Sequence, residues 1–347
     1  MNQKKMTRRH LDREKIGLLI LTVFAVGLIP TSAGAQLSYD GYMFGDLYYI
    51  ADHSNADIKG ANGLMFRRIY NTLNFTLSDS ISGRLRLEIA NPGDFLTKEK
   101  MIPFVKDAYL QAKIGGQTLF AGISPTPTFN VLESIWGYRH LEKTPLDLYK
   151  FAPSREFGLA LKGGKNVYYH VFLANGNGES SESNPGKKFM GALGFKPVEG
   201  LTLEVYADYE WDVKDGKTYN ILQGMAGYQG SWGRAAVVYA NRHYVSGDTK
   251  KDYGVFSGFA VIKASDKVEI IARYDKLLNE PVSGTVSYVP FSKNALANFI
   301  IAGISITVAD NVWIIPNIKY AFYDEPDGGD TPGNDIYALV TFFWKWK

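Results

Sequence analysis

The residues of this chain best suited to act on something else are charged and recur at every second position. Arg84, Arg86 and Glu88 alternate with Leu85, Leu87 and Ile89, while Arg68, Asp107 and Lys113 sit in similar stretches nearby. Side chains two apart on an extended strand share a face. If Leu73, Leu85 and Leu110 face one way, Arg68, Arg84, Arg86, Asp107 and Lys113 face the other. Such a face sets up an electric field for ions and makes or breaks no bonds. Bond-making chemistry finds little to work with. His10, His53, His140, His170 and His243 show no metal-ligand spacing. The absence of cysteine removes disulfides and thiolate metal sites. A hydrolytic triad would have to be assembled by guesswork around His170 or His243. Asn175-Gly176-Asn177-Gly178 runs into a polar loop with no helix behind it, so it is no phosphate cradle. Asp324, Glu325, Asp327 and Asp330 lack the spacing of a calcium loop and read as a solvated segment. No catalytic residue, cofactor or metal is expected.

The elements that must position these charges are strands. From Leu201 to Trp211, Leu201, Leu203, Val205, Ala207, Tyr209 and Trp211 alternate with Thr202, Glu204, Tyr206, Asp208 and Glu210. The same period of two recurs through the chain and gives about 16 strands, the first over 37–52 and the last over 335–346. Tight links such as 79–81, Gly115-Gly116, 163–165 and Gly230-Ser231 alternate with longer ones near 53–62, 92–103, 125–152, 176–186, 212–217, 244–251, 279–295 and 324–334. Sorting short and long loops to opposite rims is the mark of an all-β, antiparallel transmembrane barrel with short periplasmic turns and long extracellular loops. Phe342, Trp344 and Trp346 share the lipid-facing side of the last strand, as an interfacial aromatic belt requires. By parity the barrel interior also receives Glu204, Asp208, Glu210, Glu269 and Asp275 against Lys162, Lys188, Arg273 and Lys319.

Residues 1–35 are expected to be a removable export signal, leaving 36–347 as the barrel. Lys4, Lys5, Arg8, Arg9, Arg13 and Lys15 precede an apolar run over Ile16–Ile29, and Ala33-Gly34-Ala35 closes it. That run is shorter than the roughly 20 residues of a spanning helix. The full chain has 38 basic and 35 acidic residues. Without the six basic and two acidic residues of the leader, 32 and 33 remain, a net of −1. The isoelectric point near 8.6 therefore belongs to the precursor and points to no nucleic-acid partner. Mean hydropathy is only −0.14 despite 14% aromatic residues, so apolar residues are dispersed rather than gathered into helices.

With its leader, Phe66-Arg67-Arg68 entering the second strand, Asp107-Ala108-Tyr109-Leu110 in the fourth and an aromatic final strand, the chain resembles the 16-stranded porin superfamily of Gram-negative outer membranes, including the group with the phosphate-selective porins. The resemblance implies a passive pore for small hydrophilic solutes and ions, embedded among outer-membrane lipid and lipopolysaccharide and assembled as a homotrimer through the first few strands and the last. It also implies that the third long loop folds into the lumen opposite a basic wall. Here that loop, Pro125–Ala152, carries Phe129, Leu132, Ile135, Trp136 and Tyr138, too many apolar side chains for a freely solvated segment. Its charges Glu133, Arg139 and Glu142 join Arg68, Arg84, Arg86, Glu88, Asp107 and Lys113 as the expected pore-lining set, with Glu133 and Glu142 opposing the arginines and leaving a weak anion preference. The dense basic ladder of phosphate-selective relatives is absent. The alternative is a plugged barrel whose loops serve adhesion or recognition.

Overall fold

The computed structural model describes residues 36–211, 216–284 and 286–347; the expected export signal lies outside them. The chain runs through β1 (Gln36–Asp52), β2 (Asn62–Thr76), β3 (Ile81–Ala90), β4 (Ile102–Ile114), β5 (Gln117–Pro125), β6 (Arg155–Gly164), β7 (Val167–Ala174) and β8 (Lys187–Phe195). It continues through β9 (Leu201–Trp211), β10 (Lys217–Gly230), β11 (Gly233–Ser246), β12 (Thr249–Lys263), β13 (Val268–Leu278), β14 (Ala297–Ala309), β15 (Val312–Tyr323) and β16 (Asp335–Trp346). Each strand pairs antiparallel with its neighbours in sequence, and β16 returns to β1 to close the barrel. Closure leaves no sheet edge unpaired, which is what allows strands to stand in hydrocarbon. Gly41 pairs with Trp346 and Gln36 with Thr76, so both described ends lie at the short-turn rim.

The alternation read from the sequence is the alternation of exposure. On β9, Thr202, Glu204, Tyr206 and Asp208 are buried inside, whereas Leu203, Val205 and Tyr209 are exposed outside. Two aromatic girdles frame the outer aliphatic band: Tyr49, Phe157, Phe189 and Tyr209 near the long-loop rim, and Phe195, Tyr228, Trp232 and Trp344 near the short-turn rim. Amphipathic rings at both interfaces suit a wall that is apolar at its middle and wet at its ends.

Two connections differ from the sequence reading. The sixth link, expected to be long over 244–251, is a tight turn at Gly247-Asp248, because β11 and β12 pair to their tips at Ser246 and Thr249. The seventh, expected to be polar over 279–295, buries Val282, Val286, Tyr288, Val289 and Phe291. The Tyr288 hydroxyl donates to the carbonyls of Arg67 and Asn91 at 2.7 and 2.6 Å, so this loop also leans inward, over β2.

The third loop carries two short helices, α1 (Asn130–Trp136) and α2 (Pro145–Leu148). Gly137 stops α1 in the left-handed conformation, φ 68°, with its N–H donated to the Glu133 carbonyl. Leu132, Ile135, Trp136, Leu141, Leu146 and Leu148 are all buried, so the loop lies inside the barrel as its apolar content demands.

Candidate functional site

The lumen site begins with two irregularities of pairing. Between Phe44 and Gly45 the β1–β2 register skips a residue, so Phe44 faces Arg68 and Gly45 faces Phe66. Arg67 is the extra residue, and a bulge turns it to the same side as Arg68. Strict alternation would have aimed Arg67 at lipid, at a cost of several kcal/mol (about 2–4) for a charge at mid-membrane. A second skip between Arg86 and Leu87 makes Lys106 the extra residue of β4 and turns it inward beside Asp107. The two bulges thus add Arg67 and Lys106 to the interior.

Arg67 fastens the loop. Its guanidinium pairs with Asp46 at 2.6 Å and donates to the carbonyls of Leu141, at 3.0 Å, and His140. Lys319 on β15 donates to the Leu141 carbonyl at 3.0 Å, and Arg273 on β13 to that of Lys143. Three wall cations therefore grip the backbone of His140–Lys143. Around this clamp, Tyr138 and Tyr149 donate to Glu269 and Asp275 at 2.5 and 3.0 Å, and Trp136 lies 4.8 Å from Phe259. On the opposite wall Gly227 leaves room for Ile135: a Cβ there would sit 2.5 Å from its Cδ1.

The expected lining residues divide by position. Arg68 bonds to Glu88 and Arg86 approaches Asp107 at 3.5 Å. Arg84 donates to Asn74 at 2.9 Å and has no carboxylate partner among the described residues. Lys113 is exposed at the short-turn end of β4, away from the loop. Glu133 and Arg139 lie 3.6 Å apart on the loop. Glu142 does not face open space. It is 1% exposed and pairs with Lys319 at 2.7 Å behind the loop. Burial alone would raise its pKa, but Lys319 and Arg67 outweigh that and hold it down to about 2. The loop carboxylate that borders the same chamber as Arg68 is Asp147, which pairs within the loop with Arg139 at 3.4 Å and Lys143 at 3.8 Å. Burial raises its pKa less than Lys143, Arg139 and Arg68 lower it, so it stays ionised.

Cavities flank the loop. On the long-loop side, a chamber of about 800 Å³ is bordered by Arg68, Glu88, Lys106, Lys143, Asp147 and Arg242. On the other side, one of about 320 Å³ is bordered by Tyr42, Glu133, Arg139, Arg234, Glu269 and Lys345. Arg139 bonds to Asp147, which borders the first, and to Glu133, which borders the second, and so marks the layer between them.

The charge in that layer is ordered radially. Glu88 and Asp107 are 1% and 0% exposed at their side chains. Each is shared by two cations: Glu88 by Arg68 and Lys106, Asp107 by Arg86 and Arg155. The cations keep 11 to 16% exposure, so Arg68, Arg86 and Arg155 offer positive charge to water with Glu88 and Asp107 just behind, whereas Lys106 also pairs at 2.6 Å with Glu179, whose side chain is 27% exposed. Arg67, Lys106, Arg155 and the inward position of Asp147 were not part of the expected set. The adjacent pair Arg67-Arg68 was the available signal, since one of two neighbouring arginines on a regular strand must face lipid.

No protein-family model and no curated protein matches the chain. Among solved structures, the anion-selective porin from Comamonas acidovorans superposes with a TM-score of 0.67 at 10% identity, covering 90% of this chain and 100% of that one. The outer-membrane channel DcaP of Acinetobacter baumannii gives 0.61 at 12% identity, covering 92% and 99%. The trimer form of OmpT, an outer-membrane protein of Vibrio cholerae, gives 0.61 at 11% identity, covering 90% and 100%. At such identities the likeness concerns architecture: this chain has the closed 16-stranded barrel fold of outer-membrane porins.

Proposed function

We propose that the protein is a passive outer-membrane channel through which small hydrophilic solutes and ions diffuse, with a weak preference for anions. The observation that carries this reading is the radial ordering at the loop: Arg68, Arg86 and Arg155 border water, with Glu88 and Asp107 buried behind them. In a narrow water column such a surface is screened less than in bulk, so it enriches the ion of opposite sign. The balancing groups Asp147 and Glu133 keep the preference modest. The role needs no bond-making group, and we read the chain as a channel rather than an enzyme.

Residues 1–35 fit this role as the export signal. The trimer form among the solved structures of like fold supports assembly of three copies, and the porin resemblance puts the first few strands and the last at the interface. A species resistant to SDS that runs as a monomer before heating would speak against it.

Conductance of the purified, heat-modifiable barrel in a planar bilayer is the deciding measurement. Steady ohmic current with a reversal potential of anion-preferring sign is expected in a potassium chloride gradient. One observation favours a closed lumen instead: a second loop, 279–296, leans inward beside the first. Barrels that insert and pass no current would make the protein a plugged surface barrel acting through its loops.

A further inference from the structure

Arg242 on β11 borders the large chamber yet has no carboxylate within ion-pair distance among the described residues. It is 6% exposed. Its Nη1 donates to the Lys150 carbonyl at 2.7 Å and its Nη2 to the Ser283 hydroxyl at 2.5 Å, while its buried Nε has no partner. A guanidinium carries five N–H donors, so most of its capacity stays unused. Three rings surround it, Tyr253, Tyr219 and Phe151, at 4.6, 5.2 and 5.4 Å from the guanidinium carbon. Ring faces attract a cation but do not neutralise it. A neutral donor could tie the two loops together at lower desolvation cost, so the retained charge calls for another explanation.

Lys150 supplies an independent observation. It is held at φ 61°, a left-handed conformation that glycine adopts freely and lysine at a cost of about 1–2 kcal/mol. Its carbonyl is fixed by Arg242, while its side chain is exposed, borders the same chamber and has no ion-pair partner among the described residues. Two cations with no ion-pair partner among the described residues therefore border one chamber, together with Phe104, Phe151 and Tyr219.

We propose that Arg242 and Lys150 form a binding subsite for the carboxylate of an organic acid whose apolar or aromatic body rests against Phe151 and Tyr219. The site deepens the channel reading, because it presumes that solutes enter this chamber from the long-loop side. Charge-assisted hydrogen bonds fix the head and the rings take the body, so both parts are required.

The test uses the full barrel in a planar bilayer, with benzoate added on the long-loop side and interruptions of the potassium chloride current recorded. Benzoate should interrupt the current at a half-blocking concentration about tenfold or more below those of benzamide, which lacks the charge, and acetate, which lacks the ring. Lys150→Gly should weaken the block about tenfold, whereas Lys165→Gln, on a short turn, should leave it unchanged. Because glycine suits the left-handed backbone, Lys150→Gly should not lower the heat-dissociation temperature, which separates lost binding from lost folding. Acetate blocking as well as benzoate, or an undiminished block in Lys150→Gly, would overturn the subsite. If no current flows at all, the channel reading fails, and calorimetric titration of the detergent-solubilised barrel with benzoate still decides the subsite by the same comparison.

Discussion

Glu142 on the inward loop and Lys319 on β15 meet at 2.7 Å with both side chains 1% exposed, a buried ion pair joining a loop to the wall it leans on. Removing one partner of such a pair strands the other and costs about 3–5 kcal/mol. Glu142→Gln is therefore expected to loosen the loop, seen as noisier single-channel current and faster proteolysis within 137–150. The pKa of Glu142 lies near 2, below its ordinary 4.5, so its contribution is complete above pH 4.5 and fades as pH falls toward 2. Noise in the wild type should rise over that acid range, while the variant should show no such transition. Equal noise in both proteins at pH 7 would mean that Glu142 does not hold the loop.

Changing Arg84 and Arg86 together to Glu should move the reversal potential in a potassium chloride gradient toward cations. Arg86 shares Asp107 with Arg155, and Arg84 has no carboxylate of its own among the described residues, so both contribute surplus positive charge. The shift should be largest at low salt, where the screening length reaches about 30 Å at 0.01 M. A barrel that inserts but keeps its reversal potential would place the ion path away from β3.

Lys143 is expected to make selectivity depend on pH near neutrality. Burial pushes its pKa down from 10.5 to about 7, with Arg68, Lys150 and Arg139 adding to the effect and Asp147 opposing it. Below pH 7 it carries a charge and adds to the positive surface of the large chamber; above pH 7 it is neutral. Anion preference measured at pH 6 should exceed that at pH 8, and Lys143→Met should flatten the difference. The same slope in the variant would assign the titration to another group.

Gly227→Val should disturb the seat of α1, since even a Cβ at this position would lie 2.5 Å from the buried Ile135 Cδ1. Overpacking of this kind costs about 1–3 kcal/mol. The variant should dissociate at lower temperature, and Ile135→Ala in the same chain should restore part of the loss, because the two side chains compete for one space. Additive losses in the double variant would mean that Ile135 does not occupy the space Gly227 leaves.

Alternation made the barrel, the strand number and the inward arginines of β3 readable from sequence, because a side chain facing lipid and one facing water obey opposite chemical demands at every second residue. The apolar content of the third loop foretold its burial. What parity could not show was a change of parity: Arg67 and Lys106 turn inward through bulges, which depend on the partner strand's register. Nor could it separate Glu142 from Asp147. They lie five residues apart in one irregular loop, and only the positions of Lys319 and Lys143 decide which is sealed behind the loop and which borders the chamber. The burial of the seventh loop was not legible because Val282, Val286, Tyr288 and Phe291 are interleaved with Ser283, Ser287 and Ser292 without a regular period.

The clamp on His140–Lys143 has a consequence for how such a protein can change over generations. Arg67, Lys319 and Arg273 reach carbonyl oxygens of the loop, and every amino acid supplies the same oxygen. Side chains at several loop positions are thereby released from the duty of attachment. Residues such as Arg139, Lys143 and Lys150 can drift or be redesigned to suit a different cargo while the backbone of His140–Lys143 stays fastened, because there the donors belong to the wall.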